Sequence, residues 1–260
     1  MAVFSAITLF KFEDNFMQFY NLIEILNKLM ISAYISVDPK TNPVSINMAI
    51  ISRDQLQYIL GQYAVFSRKI VSFLVDAFYV MKYEGWDNVT SELQQNISEE
   101  FGEDGKDSSE PHYVLLRKGF EKSLDLDLSS LSVYPATQKF ITSTHNTIAN
   151  NNSAYVAGAV YALESTATPE LIMTFEFTNE LFRRHNIKTP TEVRKFFGSH
   201  INEIEIEHEA RLKDACSTYI NDVEKCIQFE KGFNSILQIM DDWWQGMYTE
   251  SLSLSETTVK

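Results

Sequence analysis

Apolar positions recur at intervals of three and four over most of the chain, the repeat of an amphipathic helix rather than of a strand. Phe12, Phe16, Phe19, Ile23, Leu26 and Met30 mark one face of a first long helix, which "VDPKTNP" stops. Ser52-Arg53-Asp54-Gln55 has the pattern of a capping box, and the apolar run it opens extends to about Met81. "GWDNVTSELQQNISEEFG" predicts a third helix ending at Gly102, followed by the acidic loop "EDGKDSSEP". Pro111 suits the first turn of the next helix, where a missing N–H costs nothing, and His112 follows it.

Residues 125–135, "DLDLSSLSVYP", have the weakest helical pattern and predict a crossing segment. Helices are expected again over Thr137–Ala149 and Ser153–Thr166. The second of these is rich in small residues (Ala154, Ala157, Gly158, Ala159, Ala162) that allow close helix approach. Thr168-Pro169-Glu170 and Thr189-Pro190-Thr191-Glu192 each predict a helix start. The last long helix includes "FEKGFNSILQIMDDWWQGM", with "DDWW" as its anchor, and residues 249–260 read as a frayed, flexible tail. There is no internal repeat and no dividing linker. The expectation is an all-α protein with one helical domain over residues 1–248.

One stretch, "FFGSHINEIEIEHEARL" (residues 196–212), fits two patterns. Its alternation of Glu and Ile suits a half-buried strand. Yet no partner strand is signalled nearby, and Phe197, Ile201, Ile204 and Leu212 give a broken helical stripe. Helix is the expectation.

Composition sharpens this picture. Only 9 glycines and 6 prolines occur in 260 residues, fewer than the turns of a sandwich or barrel need. A net charge of −13 argues against nucleic acid and against an anionic membrane surface. No apolar run reaches transmembrane length, and the first residues lack the basic region of a signal peptide. Cys216 and Cys226, placed on one helix, would lie about 15 Å apart, beyond disulfide reach. A reducing cytoplasm is the expected compartment.

The candidate chemistry lies in glutamates and histidines. Glu205 and His208 are three apart and share a helix face, so both can reach one ion. A solvated acidic face would show the same spacing. Glu99 and Glu100 end one helix and His112 opens the next. Glu164 sits in the apolar context "AVYALEST". It is either partnered inside, because a lone buried carboxylate is costly, or placed on the surface at a helix end. His145 and His185 stand in polar surroundings and read as surface residues.

The order "NISEEFG", His112, "YALE", "FFGSHI…E..H", "KGF…L…DDWW" resembles the haem-oxygenase-like diiron oxidases and oxygenases. It is most similar to the group around the chlamydial protein associating with death domains. The resemblance spans about Ile51 to Trp244. It implies a helical bundle of about seven to nine helices. It further implies two iron ions, or an iron–manganese pair, with O2 as co-substrate. A small organic substrate, an external reductant and a homodimer would fit such a protein. The ligands it implies are Glu100, His112, Glu164, His200, Glu205 and His208, with Glu164 bridging and Glu99 the rival of Glu100. Carboxylates and imidazoles suit Fe(II) or Mn(II).

The chain departs from the family pattern in two places. The Glu100–His112 gap is long, and His200 and His208 are eight apart where the family has seven. One extra residue turns a regular helix by about 100° and would swing His200 away from Glu205 and His208. A π-bulge between His200 and Glu205 is therefore predicted. Some relatives make an aminobenzoate from their own tyrosine, but here Leu163 precedes Glu164 where that tyrosine is expected. Two other readings remain open: a metal-free binding module of the same fold, and a haem protein using His145 or His185.

Overall fold

The computed structural model describes residues 15–103 and 110–254; Phe12 lies outside them, as does the side chain of Phe16. Eleven α-helices and one π-helical turn fill the described residues, and no strand occurs among them. The chain begins with α1 (Asn15–Ala33), the short α2 (Pro43–Ile46), α3 (Arg53–Ser67) and α4 (Ile70–Tyr83). Next come α5 (Asp87–Glu100), α6 (His112–Leu124), α7 (Pro135–Ile148) and α8 (Ser153–Arg184). Then α9 (Thr191–Ser199), the π turn (His200–Ile204), α10 (Glu205–Ser217) and α11 (Val223–Leu254) complete the order.

Local signals explain most of these boundaries. The Ser52 hydroxyl accepts from Gln55 N while the Gln55 side chain accepts from Ser52 N, so the capping box opens α3 as predicted. The apolar run does not stay one helix to Met81. It breaks at Arg68–Lys69, where Arg68 Nη1 donates to Ser129 O at 3.0 Å. The break leaves α3 on α8 and α11 and turns α4 onto α5. Gly102, at φ +81°, reverses the chain after α5, a conformation that costs glycine little. Pro111 is the N-cap of α6 rather than its first residue.

Two 32-residue helices, α8 and α11, form the centre of the molecule. Their close approach requires glycine: a Cβ on Gly158 would collide with the carbonyl of Phe229, and one on Gly232 with that of Tyr155. The small-residue stretch therefore does what its composition predicts.

Pro169 does not start a new helix. It lies inside α8, which continues through it to Arg184. An interior proline costs about 3 kcal/mol. Leu171, Met173, Phe177 and Leu181 beyond it are all buried. Each such side chain gains roughly 1.5–3 kcal/mol on burial, so together they outweigh the lost bond.

The tail prediction also needs correction. α11 runs to Leu254, and Glu250 ties it down by accepting from Tyr58 Oη at 2.6 Å and from Ala136 N at 2.8 Å. Only residues 255–260 of the expected tail lie outside the described residues. Cys216 and Cys226 belong to two helices, α10 and α11; both are free and buried. "DDWW" is an anchor: Asp241 accepts from Ser36 N, Lys139 pairs with Asp242, and Trp243 Nε1 donates to Thr137 Oγ1. No described helix is long and apolar enough to cross a membrane.

Candidate metal centre

"EIEIE" departs from its alternation at one pair only, since Ile204 stays buried and Glu203 and Glu207 stay exposed. Ile206 points outward at 53% exposure while Glu205 and His208 are buried. The turn that achieves this is π-helical over His200–Ile204, with Glu205 N donating to His200 O. It takes up the extra residue where the eight-residue spacing requires. His200 consequently faces inward with 3% exposure.

All six residues implied by the resemblance come together, in two groups. Glu100, His112 and His200 form one; Glu164, Glu205 and His208 form the other. Within each group, one donor atom per residue lies within 4.8 Å of the others. Glu205 spans both, with Oε1 4.0 Å from His200 Nε2 and Oε2 3.9 Å from His208 Nδ1. Glu164, the bridge that the resemblance implies, lies in the second group. Its Oε1 accepts from Asn96 Nδ2 at 3.2 Å and its Oε2 lies 3.3 Å from His208 Nδ1.

The histidines are held by different partners. His200 Nδ1 is 2.6 Å from Phe196 O, which can only accept, so that nitrogen carries the proton and Nε2 offers a lone pair. His208 Nε2 is 2.6 Å from Glu99 Oε2, and Arg211 in turn holds Glu99 at 3.2 Å. Glu99 therefore orients His208, and Glu100 is the one that enters a group. His112 Nδ1 is buried with no hydrogen-bond partner and lies 3.4 Å from Glu100 Oε1. A buried ring nitrogen left in this way is costly unless something supplies the missing contact.

Electrostatics follow these contacts. Burial lowers the His200 pKa to about 4. His208 rises to about 11 because Glu164 and Glu99, both hydrogen-bonded to it, outweigh burial. Burial, then the neighbouring Glu164, pushes Glu205 well above the ordinary carboxylate range. Burial also pushes Glu100 upward, but His112, His200 and His208 bring it below its usual value. The donor set of imidazoles and carboxylates, with no thiolate, fits a hard or borderline divalent cation. The two groups could hold a metal ion.

A cavity of about 70 Å³ adjoins both groups. Phe66, Ile70, Leu74, Leu171 and Met240 supply apolar wall, and Tyr63 and Glu170 also line it. The sequence alone did not single out Asn96, Arg211, Tyr63 or Glu170. Asn96 was findable, since it sits three and four residues before Glu99 and Glu100 on α5. Glu170 was hidden by the helix break wrongly placed at Pro169; on a continuous helix it falls seven residues after Leu163. His145 pairs with Asp76 at 2.6 Å, and neither it nor His185 joins the groups.

This arrangement defines the class: a haem-oxygenase-like helical protein of the diiron fold, with buried glutamate and histidine sets at its centre. The chain belongs to the family described as a domain of unknown function with solved structure, DUF3865, which matches residues 20–250. It is similar to a CADD-like protein of unknown function from Nostoc punctiforme PCC 73102, known from two crystal structures. At 2.00 Å resolution the identity is 32%, the TM-score 0.83, and coverage 90% of this chain and 99% of that one. At 1.35 Å the values are 30%, 0.82, 91% and 97%. No curated protein matches the chain.

Proposed function

We propose that the protein is an O2-dependent oxidoreductase with a non-haem dinuclear iron, or iron–manganese, centre acting on a small organic substrate. Glu100, His112, Glu164, His200, Glu205 and His208 would hold the metals. The observation that supports this best is Glu205, which directs one carboxylate oxygen to each of two buried ligand groups.

The bound metals would supply Lewis acidity and one-electron redox chemistry toward O2. Everything else falls to the chain. His200 presents Nε2 because Phe196 O holds its other nitrogen. His208 must release its Nδ1 proton on loading, while Glu99 keeps the Nε2 proton and the ring orientation. Asn96 steadies Glu164. The apolar wall excludes water and suits a substrate with a hydrocarbon body. An external reductant, delivered by a partner molecule, completes the scheme.

Anaerobic loading with Fe(II) followed by exposure to O2 tests this reading. The expected result is O2 uptake that tracks bound iron and is lost in Glu164→Gln. O2 uptake no greater than that of free Fe(II) would reject it. One observation favours a second reading, a metal-free binding module: His208 has a carboxylate against each ring nitrogen, Glu99 at 2.6 Å and Glu164 at 3.3 Å, so an imidazolium can balance the buried carboxylates. A folded protein that takes up no iron from iron-supplemented medium selects that reading.

A further inference from the structure

Glu170 is a buried acid without a basic partner. Its residue exposure is 2%, and its side chain accepts one hydrogen bond, from Trp244 Nε1 at 2.6 Å. Among the described residues, no lysine or arginine lines the cavity that it faces. The surrounding wall is apolar: Phe66, Leu74, Leu171 and Met240. Burial raises its pKa to about 8, the Trp244 bond opposing this only in part. Holding Trp244 does not by itself require an acid, because the carbonyl of a glutamine would accept the same N–H. A carboxyl facing an apolar chamber is instead suited to a cation brought by a guest, since a buried charge is tolerated once paired.

We infer that the cavity takes a small primary amine with an apolar body, and that Glu170 receives its ammonium group. This rests on reading the cavity as the substrate chamber of the proposed metal centre. The five ionisable groups at its other wall, Glu100, Glu164, His200, Glu205 and His208, belong to the ligand groups. Metal loading offsets their negative charge, which leaves Glu170 as the anchor for a cation. Among the described residues a free acid would find no lysine or arginine in the wall, and the His208 ring is already held between Glu99 and Glu164. Glu170 is thus a specificity-determining residue rather than a metal ligand.

Calorimetric titration of the zinc-loaded full chain with n-pentylamine, n-pentanol and pentanoate tests the assignment, zinc being redox-inert. The amine should bind at least about tenfold more tightly than the alcohol, the size expected of a charge-assisted hydrogen bond. In Glu170→Gln this preference should fall to within about twofold, by the same reckoning, with zinc content unchanged. Retention of the preference in the variant, stronger binding of pentanoate, or no amine binding by the wild type would overturn the inference. Zinc content of the same samples reports on the metal reading separately. A chain that binds no zinc yet loses its amine preference on Glu170→Gln upholds the anchor and rejects the metal centre. Should the variant not fold, the wild type still decides by NMR. The Trp244 indole N–H signal should move with pentylamine and not with pentanol; an unmoved signal rejects the inference.

Discussion

Glu100–His112–His200 and Glu164–Glu205–His208 draw on the same two side-chain types but differ in how their charge is arranged. In the first group burial keeps His200 neutral down to about pH 4, with its proton fixed on the nitrogen facing Phe196 O. In the second, His208 holds both protons up to about pH 11, flanked by Glu99 and Glu164. The difference lies in what backs each ring: a neutral carbonyl in one, a carboxylate in the other. The first group offers a cation an imidazole with a free lone pair. The second must give up a proton before it can bind, so its affinity should rise with pH more steeply.

The largest expected effect comes from removing the residue that the groups share. Glu205→Gln should lower metal content in both, by more than the roughly 10–100-fold loss of affinity typical of removing an outer partner. Metal analysis after desalting measures it, and retention of both metals would show that Glu205 does not link the groups. Inserting one alanine after the exposed Asn202 should separate them. The π turn takes up a single extra residue, and a second one is worth about 100° of rotation. His200 should leave the first group while Glu205 and His208 stay in register. The expected content is one metal per chain instead of two, again by metal analysis.

Glu99→Gln should act on the second group alone, weakening its metal about 10–100-fold. It should also change the pH dependence of the metal-free protein. A histidine raised from 6.5 to about 11 adds stability that is full below pH 6.5 and is lost as pH rises through 11. His200, lowered to about 4, has the opposite sense: stability falls as pH drops from 6.5 toward 4. The contributions of these two histidines to thermal melts of the metal-free chain should therefore be largest together near pH 6.5, and Glu99→Gln should flatten the alkaline decline. The smallest effect is expected at the cavity's isolated acid. Glu170, raised to about 8, makes the native state bind its proton more tightly than the unfolded chain does. Stability is lost as pH rises from 4.5 to 8, and Glu170→Gln should remove that decline in melts over the same range.

Much of this was legible in the sequence, for reasons that differ by element. Helix faces and caps are local, so the Ser52 box, the Thr191 start and the small-residue face of α8 could be read directly. The π turn could be inferred because an eight-residue histidine spacing conflicts with a regular helix. Two things depended on partners far along the chain. Whether Pro169 ends a helix is decided by the packing of α8 on α11, and whether residues 249–254 fray is decided by Tyr58 and Ala136 reaching Glu250. The same holds for the site. Spacing placed Glu205 beside His208, but the choice of Glu100 over Glu99 depends on Arg211, Gln95 and His208 holding Glu99 aside.

The most direct test of the account is anomalous X-ray diffraction from crystals of the full chain loaded anaerobically with Fe(II), recorded on both sides of the iron edge. Two peaks are predicted, one bounded by Glu100, His112 and His200 and the other by Glu164 and His208, with Glu205 between them. No peak at these residues in well-ordered, iron-soaked crystals would contradict it.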